Sequence, residues 1–141
     1  MLNFKELILD VMREKGKTIK DLEDNKILGK NTFYIFKETA PSLSTIIKIA
    51  NYLKVSLDYL IGKATESKFK KYKLNQTNFY SKLNALLKAE NISQVKLCED
   101  LEMSRTNISR WKNGTTPTLT KLISISNYLG CSIDDLLEHE S

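Results

Sequence analysis

The chain is 141 residues long, with a formal net charge of +5 and a hydrophobic content of 41%. That hydrophobic fraction is enough for packed cores and excludes a disordered chain, and the length suits one domain or two small ones. No apolar run approaches the roughly 18 residues of a membrane-spanning helix, and the first fifteen residues do not have the pattern of a signal peptide. We expect a cytoplasmic protein, with a modest indication of an anionic partner.

The residue types predict an all-α fold without catalytic or metal chemistry. There are only two prolines and five glycines, and β-branched residues do not cluster in alternating runs. Cys98 and Cys131 occupy apolar helical positions without a neighbouring Cys or His pair, which favours small buried side chains over a metal site. The single histidine, His139, has no partner constellation of carboxylates or nucleophiles. We therefore expect that the protein is not an enzyme and that it binds neither a cofactor nor a metal ion.

Apolar spacing and capping residues predict five short helices in the first half. The first covers residues 4–15, the second 18–25 and the third 30–37. A fourth opens at Pro41-Ser42, and a fifth follows the cap at Val55-Ser56. The side chains expected to face inward on the third and fourth helices are Phe33, Phe36, Leu43, Ile46, Ile47, Ala50 and Leu53.

Residues 63–76 have a different character, with five lysines against one acid, Glu66. Such a charge run is typical of a solvated, flexible linker. Between two DNA-binding domains it could also lie as a strap along phosphates, through Lys68, Lys70 and Lys71. The sequence leaves both interpretations open.

The second half repeats the pattern of the first. Residues 49–61, IANYLKVSLDYLI, align with residues 125–137, ISNYLGCSIDDLL, and Pro41 and Pro117 fall at the same point of the repeat. The repeat predicts two tandem five-helix domains, residues 1–62 and 77–141, joined by the Lys-rich linker 63–76. The second domain ends in a short acidic tail.

The stretch from Ser93 to Gly114 predicts two helices separated by a tight turn. Ser93 and Ser104 are placed as N-caps, Met103 fills the turn, and Ile108 and Trp111 form the inner face of the second helix. The outer face of that helix carries Arg105, Thr106, Asn107, Ser109 and Arg110. Asn113-Gly114 ends it, since Gly readily adopts the left-handed conformation.

These outer residue types suit the reading of DNA. An α-helix is about 10–12 Å across and fits a major groove about 12 Å wide, where Arg pairs with guanine and Asn with adenine. Ser and Thr bind either base. Amphipathic helix pairs also commonly present a polar face to solvent alone, so this stretch by itself leaves both interpretations open.

With the motifs ISQVKL, TNISRWKNG and SNYLGCSIDDLL, the second half resembles the phage-repressor-like helix-turn-helix family of the Cro and xenobiotic-response-element (XRE) type. The first half resembles it best at its last two helices and less in its reading helix. The resemblance implies lambda-repressor-like domains that bind operator DNA, usually with two DNA-binding domains on two half-sites.

The resemblance also implies a set of contact residues. Those implied for base edges are Arg105, Thr106, Asn107, Ser109 and Arg110, and those implied for phosphates are Gln94, Ser104, Asn113 and Thr115. The equivalent positions in the first half are Lys30, Asn31, Tyr34 and Ile35. Ile19 stands in place of Gln94 there, and no Asn-Gly follows Lys37, so the first half is expected to read DNA poorly.

The sequence therefore predicts a sequence-specific transcription regulator, a repressor, that reads double-stranded DNA with the helix Arg105–Lys112. It is expected to act as a homodimer that forms through the second halves of the two chains. No association with a membrane is expected. The alternative is an antirepressor or protein-interaction module. Its first domain would dock on another helical regulator through the exposed side chains of Tyr34 and Ile35.

Overall fold

The computed structural model describes residues 2–141 and contains eight α-helices, two 3₁₀ turns and no strand within that range. The chain divides into two compact units. The first unit extends to Leu74 and includes Glu140, and the second holds Asn75 to His139 and Ser141.

The first unit contains four α-helices. They are α1 (Phe4–Lys15), α2 (Ile19–Asp24), α3 (Leu43–Leu53) and α4 (Leu57–Leu60), with a 3₁₀ turn (Phe33–Lys37) between α2 and α3. The N-caps Asn3, Thr18, Ser42 and Ser56 each accept a backbone N–H from the first turn of their helix. All seven side chains expected to face inward on the third and fourth helices are buried.

The predicted third helix, residues 30–37, is wrong in type and length. A 3₁₀ turn over Phe33–Lys37 takes its place, and Lys30 and Asn31 lie in the preceding turn. Asn31 has a φ of 61°, which ends regular helix, and its N–H donates to the Glu23 carboxylate at 3.2 Å. Aromatic and β-branched residues dominate the 3₁₀ turn, and these have weaker helix propensity than Ala or Leu.

The Lys-rich segment is not a free linker along its whole length. Residues as far as Leu74 belong to the first unit, and Tyr72 is fully buried. The Tyr72 hydroxyl accepts the N–H of Leu57 at 2.7 Å, and the Asn51 amide pairs with both backbone groups of Tyr72 at 2.9 and 3.1 Å. Composition misled the prediction because one buried tyrosine among the lysines fixes the segment.

The second unit contains α5 (Phe79–Ala89), α6 (Gln94–Asp100), α7 (Thr106–Lys112) and α8 (Leu119–Leu129). The predicted last helix is a 3₁₀ turn over Asp134–Leu136. Ser93 and Thr118 cap α6 and α8 with their hydroxyls. The apolar core of this unit includes Leu83, Leu87, Leu97, Ile108, Trp111, Leu122 and Ile125.

Glu138, at the start of the acidic tail, is packed into this unit. The Glu138 carboxylate is mostly buried and accepts the backbone N–H groups of Thr77 and Asn78 at 3.0 and 3.2 Å. The Gln76 side chain pairs with both backbone groups of Glu138, at 2.7 and 2.9 Å. Asn78 caps α5 without a side-chain hydrogen bond, so Glu138 supplies an acceptor where the exposed N–H groups of the helix need one.

Candidate nucleic-acid interface

α6 and α7 form the predicted pair of helices around a tight turn. Leu101 ends α6, Glu102 adopts a φ of 52°, and Met103 is half-buried in the turn. Trp111 is buried on the inner face of α7 and packs edge-on against Phe79 of α5, with ring centroids 5.1 Å apart and planes at 88°. This contact fixes the orientation of α7 and leaves its opposite face in solvent.

The start of α7 differs from the prediction by one residue. The helix begins at Thr106, and Arg105 is its N-cap without a side-chain hydrogen bond. Ser104, the expected cap, still forms hydrogen bonds within the turn. Its hydroxyl accepts the N–H of Thr106 at 3.2 Å and pairs with the Thr106 hydroxyl at 2.8 Å. Arg105 therefore projects from the turn just before the helix.

The exposed face of α7 consists of Thr106, Ser109 and Arg110, flanked by Arg105. All four are exposed, and positions i, i+3 and i+4 lie on one side of a helix. Asn107 is half-buried, and its amide donates to the Ser104 carbonyl at 3.0 Å. One of the two Asn107 amide hydrogens is thus used within the turn.

Positive charge collects around α7. Neither Arg105 nor Arg110 forms an ion pair in the part of the chain that the structure describes. From Met103 to Ile133 the sequence contains Arg105, Arg110, Lys112 and Lys121 but no acid. The second half is close to neutral as a whole, so this stretch without acids is a local concentration of positive charge.

A groove of about 380 Å³ runs along one side of α7. It is lined by Tyr80, Gln94, Arg105, Thr106, Ile108, Ser109 and Lys112. The fold thus brings four of the predicted contact residues together around one concavity. The other predicted residues, Ser104, Asn107, Arg110, Asn113 and Thr115, are not part of its lining.

Gln94 enters this groove from the start of α6 and is held by α5. Its amide nitrogen donates to the Asn84 side-chain oxygen at 2.8 Å and to the Tyr80 hydroxyl at 3.2 Å. Hydrogen bonding of Tyr80 with Gln94 and, to a smaller extent, with Asn84 lowers the pKa of the Tyr80 hydroxyl, and the charge of Lys112 adds to this against the opposing effect of burial. We name these four residues, Tyr80, Asn84, Gln94 and Lys112, the α5–α6 polar cluster.

Three members of the cluster were missed from sequence. Tyr80 and Asn84 are four residues apart on α5 and therefore share a helical face, but nothing in the sequence shows that this face meets Gln94. A signal was available at Lys112, which lies in the same acid-free stretch as both arginines.

The end of α7 uses its backbone for capping. Gly114 has a φ of 99°, and its N–H donates to the Trp111 carbonyl at 3.1 Å. The N–H of Thr115 donates to the Arg110 carbonyl at 3.0 Å. The side chains of Asn113 and Thr115 are exposed, so any phosphate contact there would come from side chains.

Both cysteines were expected to be buried at helical positions; this is correct for Cys98 on α6, whereas Cys131 lies just after the end of α8. Cys98 is buried and Cys131 half-buried. Burial raises the pKa of Cys98, against a smaller opposing effect of Arg105. Within residues 2–141, no group of three or more His, Cys, Asp or Glu side chains is arranged to hold a metal ion.

The corresponding residues of the first unit have a different arrangement. Lys30 and Asn31 precede the 3₁₀ turn, while Tyr34 and Ile35 lie on it with 62% and 42% of their surface exposed. In the segment before Leu74, Lys68 and Lys70 are exposed, and Lys71 pairs with Glu140 of the same unit at 3.3 Å.

Comparisons with known proteins identify one matching family model and a similar protein. Residues 82–141 match the family model of the Cro/C1-type HTH DNA-binding domain. The chain is 40% identical over 63 residues to the HTH-type transcriptional activator BcrR of Enterococcus faecalis, an alignment that covers 44% of this chain and 31% of that protein. No solved structure matches significantly. In the described residues, no helix combines the length and apolarity needed to cross a membrane. Residues 82–141, with α6, the turn and α7 at their centre, form a Cro/C1-type helix-turn-helix DNA-binding domain.

Proposed function

We propose that the protein is a sequence-specific DNA-binding transcription regulator, acting in the cytoplasm, that reads the major groove with the exposed face of α7. The observation that carries this is a pair of arginines without ion pairs in the described residues, Arg105 at the N-cap of α7 and Arg110 on the helix, which Trp111 holds in place. Bidentate pairing of Arg with guanine is the commonest specific contact in that groove. Further hydrogen-bonding groups for the bases come from Thr106, Asn107 and Ser109. The proposal also includes contacts to the flanking phosphates, made by Gln94, Ser104, Asn113 and Thr115.

The comparisons support a regulatory role over catalysis. The matched family is a DNA-binding domain, and the relative is named an HTH-type transcriptional activator. The matched region spans only 31% of that relative, so the role is transferred here as part of the proposal.

For the direction of regulation we propose repression, because a small helical domain bound over a promoter blocks access by occupancy alone. The Enterococcus faecalis relative is named an activator, so the direction needs its own measurement. A reporter gene with the site placed inside the promoter, and again upstream of it, separates the two. Repression predicts reduced expression from the first arrangement and no increase from the second.

We further propose that the regulator binds as a homodimer whose two second units occupy two half-sites. Half-sites on one face of DNA lie about 34–36 Å apart, and a two-fold axis relates the two readers. The tandem arrangement of two helix-turn-helix domains in one chain is part of the same proposal. The first unit has the same order of elements, with a 3₁₀ turn where the second has α7.

A second candidate function belongs to the first unit. The exposed side chains of Tyr34 and Ile35 and the displacement of Lys30 and Asn31 from the 3₁₀ turn favour docking on another helical regulator, as in an antirepressor. This function predicts that the full chain binds the partner without shifting DNA.

The test of the main proposal is selection of bound fragments from random duplex DNA, followed by mobility shifts at several salt concentrations. A DNA reader enriches a defined sequence and loses affinity with a slope of about −0.9 per phosphate contact in a plot of log K against log salt. Failure to enrich any sequence, together with no shift at low salt, would leave the protein-interaction function in its place.

A further inference from the structure

The first unit contains a groove of about 370 Å³, a size in the range of small-molecule sites. The turn after α2, one face of α3 and the segment before Leu74 form its walls. Its lining includes three lysines, one acid and two apolar side chains, namely Lys26, Lys48, Lys71, Glu140, Ile27 and Leu74. Charged and apolar groups therefore share one concavity.

The groove carries an excess of positive charge. Lys26 and Lys48 are exposed and form no ion pair in the described part of the chain. Lys71 pairs with the Glu140 carboxylate at 3.3 Å, and the backbone N–H of Glu140 donates to the Lys71 carbonyl at 2.7 Å. The protein thus places one carboxylate of its own on one of the three lysines and leaves two positive charges for an anion from outside.

Apolar surface lies beside these charges. Leu74 is a large hydrophobic side chain with 57% of its surface exposed, and Ile27 is half-buried. Covering them with a hydrocarbon group removes apolar surface from water, which is favourable. An inorganic anion would leave Leu74 in water, so the lining suits an anion that also carries a hydrocarbon group.

The walls of the groove are held by hydrogen bonds within the first unit. The Asn51 amide pairs with both backbone groups of Tyr72, at 2.9 and 3.1 Å, and thereby fixes the chain between Lys71 and Leu74. In the turn after α2, the N–H of Ile27 donates to the Leu22 carbonyl at 2.9 Å. A lining whose backbone is already ordered lowers the entropic cost of binding.

We propose that this groove of the first unit binds a small organic carboxylate with a hydrocarbon tail. The ligand carboxylate pairs with Lys26 and Lys48, and the tail covers Ile27 and Leu74. Glu140 competes with the ligand for Lys71. The site needs no DNA, so ligand binding is independent of the proposed function.

The test uses the full chain without DNA, with octanoate and phenylacetate as probes, followed by titration calorimetry and by amide chemical shifts. We expect one saturable site, with shift changes at the backbone N–H groups of Ile27, Lys48 and Leu74. Octanol lacks the charge and acetate lacks the tail, and each should bind at least about tenfold more weakly than octanoate, a difference of about 1.4 kcal/mol.

Three variants change the affinity for octanoate in different directions. Lys48→Gln should weaken binding by up to about fivefold, the scale of an exposed ion pair. Leu74→Asn should also weaken it, because the tail loses its apolar contact. Glu140→Gln should strengthen it about twofold to threefold, since Lys71 loses its internal partner. Lys15→Gln is the matched control, an exposed lysine of α1 outside the groove lining, and should leave affinity unchanged.

The contrary results are distinct. Absence of saturable binding of both probes overturns the site, as does equal weakening by Lys48→Gln and Lys15→Gln. Equal affinities for octanoate and acetate, or for octanoate and octanol, overturn the proposed ligand chemistry. Weaker binding by Glu140→Gln shows that Glu140 supports the groove and overturns the competition. Since no DNA is present, each of these results leaves the proposed function of α7 to its own test.

Discussion

At the scale of single residues, Arg110 is the side chain on which sequence reading depends most. It is exposed on α7, forms no ion pair in the described part of the chain, and lies one helical turn after Thr106. Nothing in the protein has to be broken before its guanidinium can bind a base edge.

We therefore expect Arg110→Ala to weaken binding to the selected site by about 1–3 kcal/mol and to relax preference at one base position. Competition mobility shifts with single-base variants of the site measure both effects. Arg13→Ala is the matched control, since Arg13 is an exposed arginine of α1 that pairs with Asp10 at 3.3 Å. Equal losses for the two variants, with base preference intact, would remove Arg110 from the reading face.

Residue identity was enough to predict the capping and core positions. Ser42, Ser56 and Ser93 cap helices as expected, and Ile108 and Trp111 are buried, because these properties depend on a few neighbouring residues. The engagement of Gln94 with Asn84 and Tyr80 depends on how α5 packs against α6. Sequence spacing alone does not determine such a contact.

At the scale of elements, the buried Tyr72 makes the Lys-rich segment part of the first unit. Its hydroxyl is the acceptor for the N–H of Leu57, which opens α4 and has no partner within that helix. In a fragment of residues 1–74, Tyr72→Phe should lower the free energy of unfolding by about 1–3 kcal/mol, the cost of a buried unsatisfied N–H.

Urea unfolding followed by circular dichroism measures this difference. Tyr52→Phe is the control, because the half-exposed Tyr52 hydroxyl has only a long contact of 3.5 Å from Asn25, and a change within about 0.5 kcal/mol is expected. If the parent fragment and Tyr72→Phe had equal free energies of unfolding, the Lys-rich segment would be a flexible linker and not part of the first unit.

The exposed lysines of the same segment give a separate prediction. Lys68 and Lys70 are free of ion pairs in the described residues, whereas Lys71 pairs with Glu140. If the segment lies along phosphates, Lys68→Gln with Lys70→Gln should weaken binding to all duplexes alike and reduce the magnitude of the salt slope by up to about 1.8. Adding Lys71→Gln should change it less.

Lys15→Gln with Lys20→Gln removes the same charge from another exposed part of the first unit. If both double variants changed the salt slope by the same amount, the effect would come from overall charge, and the Lys-rich segment would not lie along the phosphates.

The type of an element was harder to predict than its position. The third element of each unit was expected as an α-helix, and only α7 is one. Ile108 and Trp111 have counterparts in Phe33 and Phe36, which are also buried. The pattern of buried residues was therefore right, while the turn at Asn31, with its positive φ, shortened the element to a 3₁₀ turn.

At the scale of the whole molecule, the two units are expected to contribute unequally. Among the described residues, only the second unit has an α-helix as its third element, with Arg110 on it and Arg105 at its N-cap, and the α5–α6 polar cluster belongs to the same unit. A fragment of residues 75–141 should keep most of the sequence preference, and residues 1–74 little.

Binding of both fragments and of the full chain to the selected duplex, with sedimentation to count chains per duplex, measures this. We expect two full chains per site, because each chain supplies one well-formed reading helix. One chain per site, with equal base-specific contributions from both fragments, would instead establish a single-chain pseudo-dimer.

The hydrogen-bonded pairing of Gln76 with Glu138 has a consequence for protein engineering. This pairing brings together two residues near opposite ends of the second unit, with hydrogen bonds of 2.7 and 2.9 Å. A short peptide could join those ends and the chain could be reopened at an exposed turn such as Asn91, as circular permutation usually requires. α7 would keep its packing against α5 in the permuted chain, and new sequence could be attached far from either original end.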